Sequence, residues 1–451
     1  MSTRSTPPAG QGSPSYTGPF IIVTALFFIF GFITNLNMAL VPHLRNIFTL
    51  PYAWAMLAES AFFLAYFVFS SPTAKLIESI GYKKTMVVSL FIQVVGCLMF
   101  VPAAKYVSFP LFLTAVFIVG AGVTALQTAA NPYVAILGPE SSAPVRLTLA
   151  QALNSLGGSI APLIAGHYIL TDPAKMASKA AVANTVRGPY IAIAAGLLIL
   201  GMAVAFLHLP HVKQTQEFRP ATEGDPILSR SIWGYRHTVL GALGIFLYVG
   251  VEVGLASIAV NYFLTQGVND GMGSRVAHYF STLGGFGDLV TRVFGPWNGV
   301  GIAAILVSLY WFGALIGRLL GSWVLTKIKS NRLLGAFGII AASLLGVAMV
   351  SSGLVAIWTV VLCGFFNSIM FPNIFALAIK GLGPMTSKGS GLIMTAVVGG
   401  AVIPPLIGAT ADHVGIQHAF FIPMFCYLYI AFYGLWGSKP QHMLPKQALT
   451  D

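Results

Sequence analysis

The residues best suited to binding a polar solute are four carboxamides in the stretch between residues 122 and 166. Gln127 and Asn131 are four residues apart, and Gln151 and Asn154 are three apart, so each pair lies on one face of a helix. The stretch is apolar enough to cross a bilayer, where every polar side chain needs a partner or water. Amides also join membrane helices to one another, but four on two shared faces predict a substrate site.

Three further amides are candidates for the same cavity. Asn35 and Asn37 are two residues apart and cannot share a face of a regular helix, so we expect one of them to face the cavity. Asn367 lies shortly before Pro372, where a break in the helix would expose backbone as well as amide groups. The predicted substrate-binding residues are therefore Gln127, Asn131, Gln151, Asn154, Asn35, Asn37 and Asn367.

Aromatic residues accompany these amides and indicate the class of solute. A sugar ring presents a patch of C–H bonds that stacks on an aromatic face and a rim of hydroxyls that need amide partners. Buried basic groups, which a phosphorylated or carboxylated solute would require, are scarce. The combination favours a neutral polyol. The aromatic residues in question are Phe32, Tyr133, Trp311 and Phe371.

Two acidic residues within apolar segments are candidates for coupling to a cation. Glu252 lies in the middle of the segment FLYVGVEVGLAS, where a carboxylate is either neutral or placed beside a cation or a basic partner. Either state suits a proton or a sodium site. Glu59 lies nearer the end of its segment and is the weaker candidate. Arg318 is predicted to be structural, paired with carbonyl groups or with a carboxylate.

Several kinds of chemistry are not expected. The three cysteines, Cys97, Cys363 and Cys426, are widely separated and lie in apolar segments, so we predict neither a disulfide nor a zinc site. The chain has no nucleophile elbow, HExxH or P-loop lysine motif, and we expect no cofactor and no ATP-driven transport. The net charge of +12 does not indicate a nucleic-acid partner, because cytoplasmic loops of membrane proteins are rich in Lys and Arg.

The composition predicts the elements that position these residues. Of 451 residues, 56% are hydrophobic and 8% charged, against about 25% charged in soluble proteins, so the fold class is an all-α membrane protein. Apolar runs of about 20 residues predict twelve transmembrane spans, near 19–41, 51–74, 83–103, 109–137, 144–170, 189–209, 237–265, 299–326, 332–351, 354–379, 386–411 and 417–437.

These spans divide into two groups of six. A charged, proline-rich linker separates them, and Gly157, Gly158, Pro162 and Gly166 recur 242 positions later as Gly399, Gly400, Pro404 and Gly408. Related halves of this kind rock about a central site. The distribution of Lys and Arg predicts cytoplasmic termini, and the polar first residues are not a cleaved signal. The predicted parts are a tail (1–18), a bundle (19–210), the linker (211–236), a bundle (237–437) and a tail (438–451).

Twelve spans with a central linker resemble the major facilitator superfamily. More narrowly, FGFITNLNMALVPHLRNIF, LQTAANPYVAILGPESSAPVRL and YVGVEVGLASIAVNYF resemble the bacterial fucose–galactose–glucose:cation symporter family. In its fucose transporters, acidic residues stand where this chain has Met38 and Gln127. The chain is more similar to the glucose/galactose and N-acetylglucosamine branch, and that resemblance implies that Gln151 and Asn154 bind sugar while Glu252 carries the coupling.

The resulting hypothesis is cation-coupled symport of glucose, galactose or N-acetylglucosamine across the bacterial inner membrane. The coupling ion is a proton or sodium, the latter near Glu252. We expect a monomer in contact with membrane lipid, with no nucleic-acid partner. One alternative is a drug/proton exporter with an apolar cavity. The other is a membrane-embedded enzyme, which would need a catalytic pair such as Glu59 and His43.

Overall fold

The computed structural model describes residues 17–38, 44, 47–48, 57–137, 139–168, 178–207, 231–294, 297 and 299–440. These residues form helices and connecting turns, with no β-strand among them. Nine helical segments in this part of the chain are long and apolar enough to cross a membrane. One of them, Ser60–Lys105, has 46 residues, enough for two spans at about 20 residues each. The predicted all-α membrane fold is confirmed.

In the described part of the first half, the chain forms six α-helices. They are α1 (Thr17–Met38), α2 (Leu57–Lys105), α3 (Phe109–Ile136), α4 (Ala143–Tyr168), α5 (Lys179–Asn184) and α6 (Arg187–Phe206). Helix α2 comprises two of the predicted spans, joined at Gly81 with a φ of 82°. Only glycine adopts this left-handed conformation without a steric penalty, so Gly81 allows the chain to reverse direction there.

Among its described residues, the second half forms eleven α-helices of different lengths. They are α7 (Arg236–Thr265), α8 (Asp270–Ser281), α9 (Gly285–Phe294), α10 (Gly299–Val324), α11 (Ser330–Val350), α12 (Gly353–Asn367), α13 (Met370–Ala378), α14 (Thr386–Thr395), α15 (Gly399–Val414), α16 (Ile416–Ala419) and α17 (Phe421–Phe432). Helices α12 and α13 form one interrupted span, as do α14 and α15. The small helices α8 and α9 occupy the long connection after α7.

The two halves repeat the same helix packing. Helix α4 packs on α1 as α15 packs on α7, and α6 packs on α2 as α17 packs on α11. A Cβ atom at Gly157 would overlap the carbonyl oxygen of Phe28, and one at Gly399 would overlap that of Phe246. Gly157 and Gly399 are 242 residues apart, so the same glycine permits the same backbone approach in each half.

The halves meet mainly at one end of the bundle, which we call the linker end because α6 stops and α7 begins there. Helix α14 packs on α2 and α3, and α10 and α13 pack on α4. Ser387 Oγ donates a hydrogen bond to Glu78 Oε1 (3.0 Å), and Ser390 Oγ donates to the Thr128 carbonyl oxygen (2.9 Å). These contacts close the linker end between the halves.

Candidate functional site

A cavity lies between the halves, above the closed linker end. The space between the halves there is about 860 Å³, including space that is open to solvent. It is lined from the first half by Phe30, Thr34, Asn35, Phe63, Tyr66, Gln127, Gln151, Asn154, Ser155, Gly158 and Ser159, and from the second half by Val249, Glu252, Val253, Trp311, Arg318, Phe371 and Val397.

The first half contributes a neutral, polar wall in which two asparagines are held by facing glycines. A Cβ atom at Gly31 would overlap the backbone oxygen of Asn154, and one at Gly158 would lie 2.6 Å from Asn35 Nδ2. Asn35 Nδ2 donates to the Gly31 carbonyl oxygen (3.0 Å), and Asn154 Nδ2 donates to that of Phe27 (3.5 Å). Each amide therefore rests in a slot made by a glycine of the neighbouring helix.

The other predicted amides of this wall come from α3 and α4. Gln127 Nε2 donates to the Tyr66 hydroxyl (2.7 Å), and Gln151 lines the cavity one helical turn from Asn154. Tyr66 was not among the predicted site residues, because it lies in a run of aromatic residues that is typical of ordinary helix packing. Of the two predicted shared-face pairs, Gln151 and Asn154 both line the cavity, whereas Gln127 lines it without Asn131.

The wall from the second half is apolar around one charged pair. Trp311 and Phe371, two of the four aromatic candidates, line the cavity together with three valines. The other two candidates, Phe32 and Tyr133, are not among its lining residues. A solute in this cavity therefore has amides on one side and aromatic faces on the other.

Glu252 and Arg318 form the charged pair. Arg318 Nη2 lies 3.9 Å from Glu252 Oε1, and the side chains are 6% and 16% exposed, respectively. Tyr248 donates to Glu252 Oε1 (2.6 Å), and its hydroxyl also lies 3.1 Å from the Asn367 carbonyl oxygen. Tyr248 is one turn before Glu252 on the same helix face, so the four-residue spacing was a signal that could have identified it.

Arg318 also donates hydrogen bonds to groups of both halves. Its Nε donates to the Ser368 carbonyl oxygen (3.1 Å), and its Nη1 donates to the Gln151 carbonyl oxygen (3.0 Å). The Ser368 carbonyl is available because Pro372, four residues later, has no N–H to donate to it. The predicted break in this span thus creates a backbone acceptor for Arg318, and the predicted pairing of Arg318 with carbonyls and a carboxylate is present.

Three of the predicted amides lie outside the cavity wall. Asn37 accepts from the Tyr190 hydroxyl (2.9 Å), Asn131 donates to Met394 Sδ (3.7 Å), and Asn367 donates to the Tyr310 hydroxyl (2.5 Å). These are hydrogen bonds between packed helices, the other role that amides take in membranes. Their part in substrate binding stays a prediction.

The remaining predictions concern Glu59 and a sodium ion near Glu252. The side chain of Glu59, like His43 and the side chain of Met38, lies outside the described residues. Within the described residues, no group of three His, Cys, Asp or Glu side chains is arranged to hold a metal ion. The acid on the cavity wall, Glu252, faces a guanidinium group, which opposes a metal cation at the same carboxylate.

Comparisons with known proteins identify the fold and the relatives of this chain. The model of the Major Facilitator Superfamily matches residues 22–398. A protein named glucose/galactose transporter from Brucella abortus biovar 1 (strain 9-941) is 43% identical over 92% of this chain and 93% of its own length. The L-fucose-proton symporter of Escherichia coli (strain K12) is 31% identical over 96% of this chain and 95% of its own length.

A solved structure supports the same assignment. The crystal structure of the transporter FucP in the outward conformation is 30% identical in sequence to this chain. It superimposes with a TM-score of 0.78 and covers 93% of this chain and 99% of that one. The predicted fold of two six-helix bundles around a central cavity is therefore confirmed.

Proposed function

Since this chain belongs to the Major Facilitator Superfamily, we propose that it is a symporter that moves a neutral monosaccharide together with a cation into the cell. The relatives named glucose/galactose transporter and L-fucose-proton symporter support glucose, galactose or a similar hexose as the substrate. N-acetylglucosamine stays an alternative that rests on the sequence resemblance. The observation that carries the proposal is the cavity, where an amide wall faces an aromatic wall across one ion pair.

The chemistry of the two walls suits a sugar. Carboxamides offer both donors and acceptors to ring hydroxyls, and Trp311 and Phe371 offer faces to the C–H bonds of the ring. Because Glu252 and Arg318 balance one another, the cavity carries no net charge from this pair, which favours a neutral substrate. An exporter of apolar drugs has no use for so many hydrogen-bonding groups, and the chain is a transporter rather than a membrane-embedded enzyme.

The coupling ion that fits best is a proton at Glu252. Sodium prefers several oxygen ligands, and a cation at Glu252 would lie close to the Arg318 guanidinium, 3.9 Å from the carboxylate. A proton instead neutralises the carboxylate without displacing the guanidinium. The relative from Escherichia coli is named a proton symporter, which supports the same choice. Glu59 stays a second candidate.

The proposed setting is the bacterial inner membrane, with both termini in the cytoplasm. The linker end then faces the cytoplasm, and its closure corresponds to an outward-facing transporter. One chain encloses the whole cavity, so a monomer can carry out transport. Large apolar side chains exposed along the helices, among them Phe67, Val95, Leu354 and Phe425, would contact lipid.

Uptake into proteoliposomes tests this proposal. We expect accumulation of radiolabelled glucose or galactose under an inward proton gradient, and loss of accumulation when the gradient is collapsed. Asn154→Ala and Gln151→Ala should each weaken sugar binding by up to about tenfold, as expected for one lost hydrogen bond. Asn184→Ala, which changes an exposed amide on α5, is the control. Accumulation that follows a sodium gradient alone would contradict proton coupling, and no sugar uptake under any gradient would contradict symport.

A further inference from the structure

Arg318 joins the halves at the floor of the cavity. Besides the Gln151 carbonyl oxygen (3.0 Å), its Nη1 lies 3.5 Å from Asn154 Oδ1 and donates to Ser155 Oγ. All three acceptors belong to α4 in the first half, whereas Arg318 belongs to α10 in the second half. The guanidinium therefore connects the two bodies that must separate at the linker end if the cavity is to open there.

The same guanidinium is fixed within its own half by two different kinds of partner. The Ser368 carbonyl oxygen, freed by Pro372, accepts from Nε at 3.1 Å and does not change its charge. The Glu252 carboxylate lies 3.9 Å from Nη2 and loses its charge when it binds a proton. The charge on Glu252 therefore influences how firmly Arg318 is held, while the Ser368 carbonyl keeps its position.

Asn154 links the guanidinium to the sugar. Asn154 lines the cavity, and its Oδ1 is the acceptor through which a sugar hydroxyl would bind, since its Nδ2 donates to the Phe27 carbonyl oxygen. A hydroxyl that binds Oδ1 competes with Arg318 for the same atom. The sugar thus acts on Asn154 and the proton on Glu252, and both residues are partners of Arg318.

We propose that Arg318 is the positioning residue that makes opening of the linker end depend on both ligands. This inference rests on the proposed function. A proton on Glu252 removes the charge partner of the guanidinium, and a sugar hydroxyl removes its acceptor on Asn154. With a proton alone, the guanidinium keeps all three acceptors on α4, and with sugar alone the charged Glu252 still holds it where Gln151 and Ser155 accept from it, so α10 stays joined to α4. With both bound, the guanidinium is no longer held by Glu252 and keeps only the Gln151 and Ser155 acceptors, from which it separates and is hydrated as the linker end opens.

Physical chemistry explains why arginine suits this position. A buried cation without a partner is strongly unfavourable, so Arg318 leaves one set of acceptors only as water or another acceptor replaces it. Its planar fork carries five N–H donors and spans acceptors on α4, α7 and the break before α13. A lysine ammonium is a point charge that cannot reach all of them in one arrangement.

Thiol labelling at the linker end tests this inference. Ser70→Cys is a suitable reporter, because Ser70 is fully buried, its hydroxyl donates to the Tyr66 carbonyl oxygen of its own helix, and its backbone lies against Gly391 of the other half. The native cysteines are all buried, so their background reaction should be slow. The rate of reaction with a membrane-impermeant maleimide is measured from the linker side in oriented vesicles.

We expect Arg318→Met to raise the labelling rate of Ser70→Cys about tenfold without sugar, because the hydrogen bonds of Arg318 to α4 are lost. Arg318→Lys should give an intermediate rate. Lys327→Met is the matched control, since Lys327 lies just beyond the same helix and its ammonium stacks on Trp323 (4.0 Å). With Arg318 intact, glucose and acid pH together should accelerate labelling, and neither should do so alone. In Glu252→Gln, sugar alone should be sufficient.

Arg318→Met leaves Glu252 buried without its counter-charge, so the variant could fail to fold. The double variant Arg318→Met/Glu252→Gln removes both charges and should also be labelled about tenfold faster without sugar. An unchanged rate in the folded double variant would overturn the inference, as would sugar-independent labelling in Glu252→Gln. Failure of the proposed function gives a different result: sugar would have no effect on any variant, while the variants lacking Arg318 would still be labelled faster.

Discussion

At the scale of single residues, Glu252 has a different environment from the amides around it. Its carboxylate lies between the Tyr248 hydroxyl (2.6 Å) and the Arg318 guanidinium (3.9 Å), and 16% of the side chain is exposed in the cavity. The acid is therefore accessible to a proton from the cavity, yet its ionised form has two partners. Gaining or losing a proton changes the charge balance of the cavity without changing its shape.

This environment leads to a prediction for Glu252→Gln. Glutamine keeps the size and a hydrogen-bonding group but cannot bind a proton, so sugar should still exchange across the membrane while gradient-driven accumulation should fall at least tenfold. Counterflow and accumulation measured on the same vesicles separate these two activities. Asp288→Asn, an exposed acid on α9 outside the cavity, should leave both unchanged. Full accumulation by Glu252→Gln would remove this residue from the coupling step.

The sequence predicted part of this site. Shared helical faces selected Gln127, Gln151 and Asn154, an amide within an apolar span selected Asn35, and a charge within an apolar span selected Glu252. All five line the cavity. Spacing does not show which neighbour a face meets. For this reason Asn131, which shares a face with Gln127, lies instead against Met394 (3.7 Å). Tyr66 and Arg318 acquire their positions in the site from contacts between helices, so sequence alone could not assign them to it.

At the scale of elements, α1 and α4 position the two asparagines of the cavity wall, which we propose bind sugar, through close contact. Because Gly31 has no side chain, Asn154 can pack against it, and the same holds for Asn35 at Gly158. The two slots differ in what a methyl group would meet. At Gly31 it would overlap the backbone of α4, which cannot move without separating the helices, whereas at Gly158 it would press on the end of a side chain 2.6 Å away.

Alanine substitutions should separate the two effects. Gly158→Ala should displace the Asn35 amide and weaken sugar binding about threefold to tenfold, with little change in thermal stability. Gly31→Ala should lower both affinity and stability, the latter by about 1–3 kcal/mol for overpacking. Gly196→Ala in α6 is the control, because a Cβ atom there meets nothing within 4 Å. Equal affinity in Gly158→Ala and the unchanged protein would show that Asn35 is not positioned by this slot.

The helices themselves were well predicted, because apolar length is sufficient to locate a span. The predicted span 109–137 corresponds to α3 (Phe109–Ile136), and 237–265 corresponds to α7 (Arg236–Thr265). The break near Pro372 was also predicted from the missing N–H of proline. The connection between the predicted spans 51–74 and 83–103 contains Gly81, but the positive φ of this glycine was not predicted, since it has no distinctive sequence pattern among many glycines.

At the scale of the whole molecule, the halves share a scaffold but divide the chemistry. An amide–tyrosine hydrogen bond occurs in both, between Gln127 and Tyr66 (2.7 Å) and between Asn367 and Tyr310 (2.5 Å). The first pair faces the cavity, whereas Asn367 and Tyr310 are not among the residues lining it. The first half thus provides most of the hydrogen-bonding groups of the cavity, and the second provides the acid, the guanidinium, Trp311 and Phe371.

The proposed transport by alternating access requires the two bodies to move relative to one another, which a reversible cross-link can test. In Glu78→Cys/Ser387→Cys, the two thiols replace groups that join the halves at the linker end (3.0 Å). A short bifunctional thiol reagent should abolish uptake while sugar binding from the opposite side persists, because the cavity stays accessible there. When the cross-linking reagent instead joins the two cysteines through disulfide bonds, reduction of these bonds should restore uptake.

The control is a cross-link within one half at the same end. Ser330 Oγ donates to Asn373 Oδ1 (2.7 Å), and both residues belong to the second half. If each half moves as a unit, Ser330→Cys/Asn373→Cys should transport sugar as well after cross-linking as before it. Loss of uptake in this pair too would mean that opening requires deformation within the second half. Undiminished uptake after complete cross-linking of positions 78 and 387 would mean that the sugar does not leave by separation of the halves at the linker end.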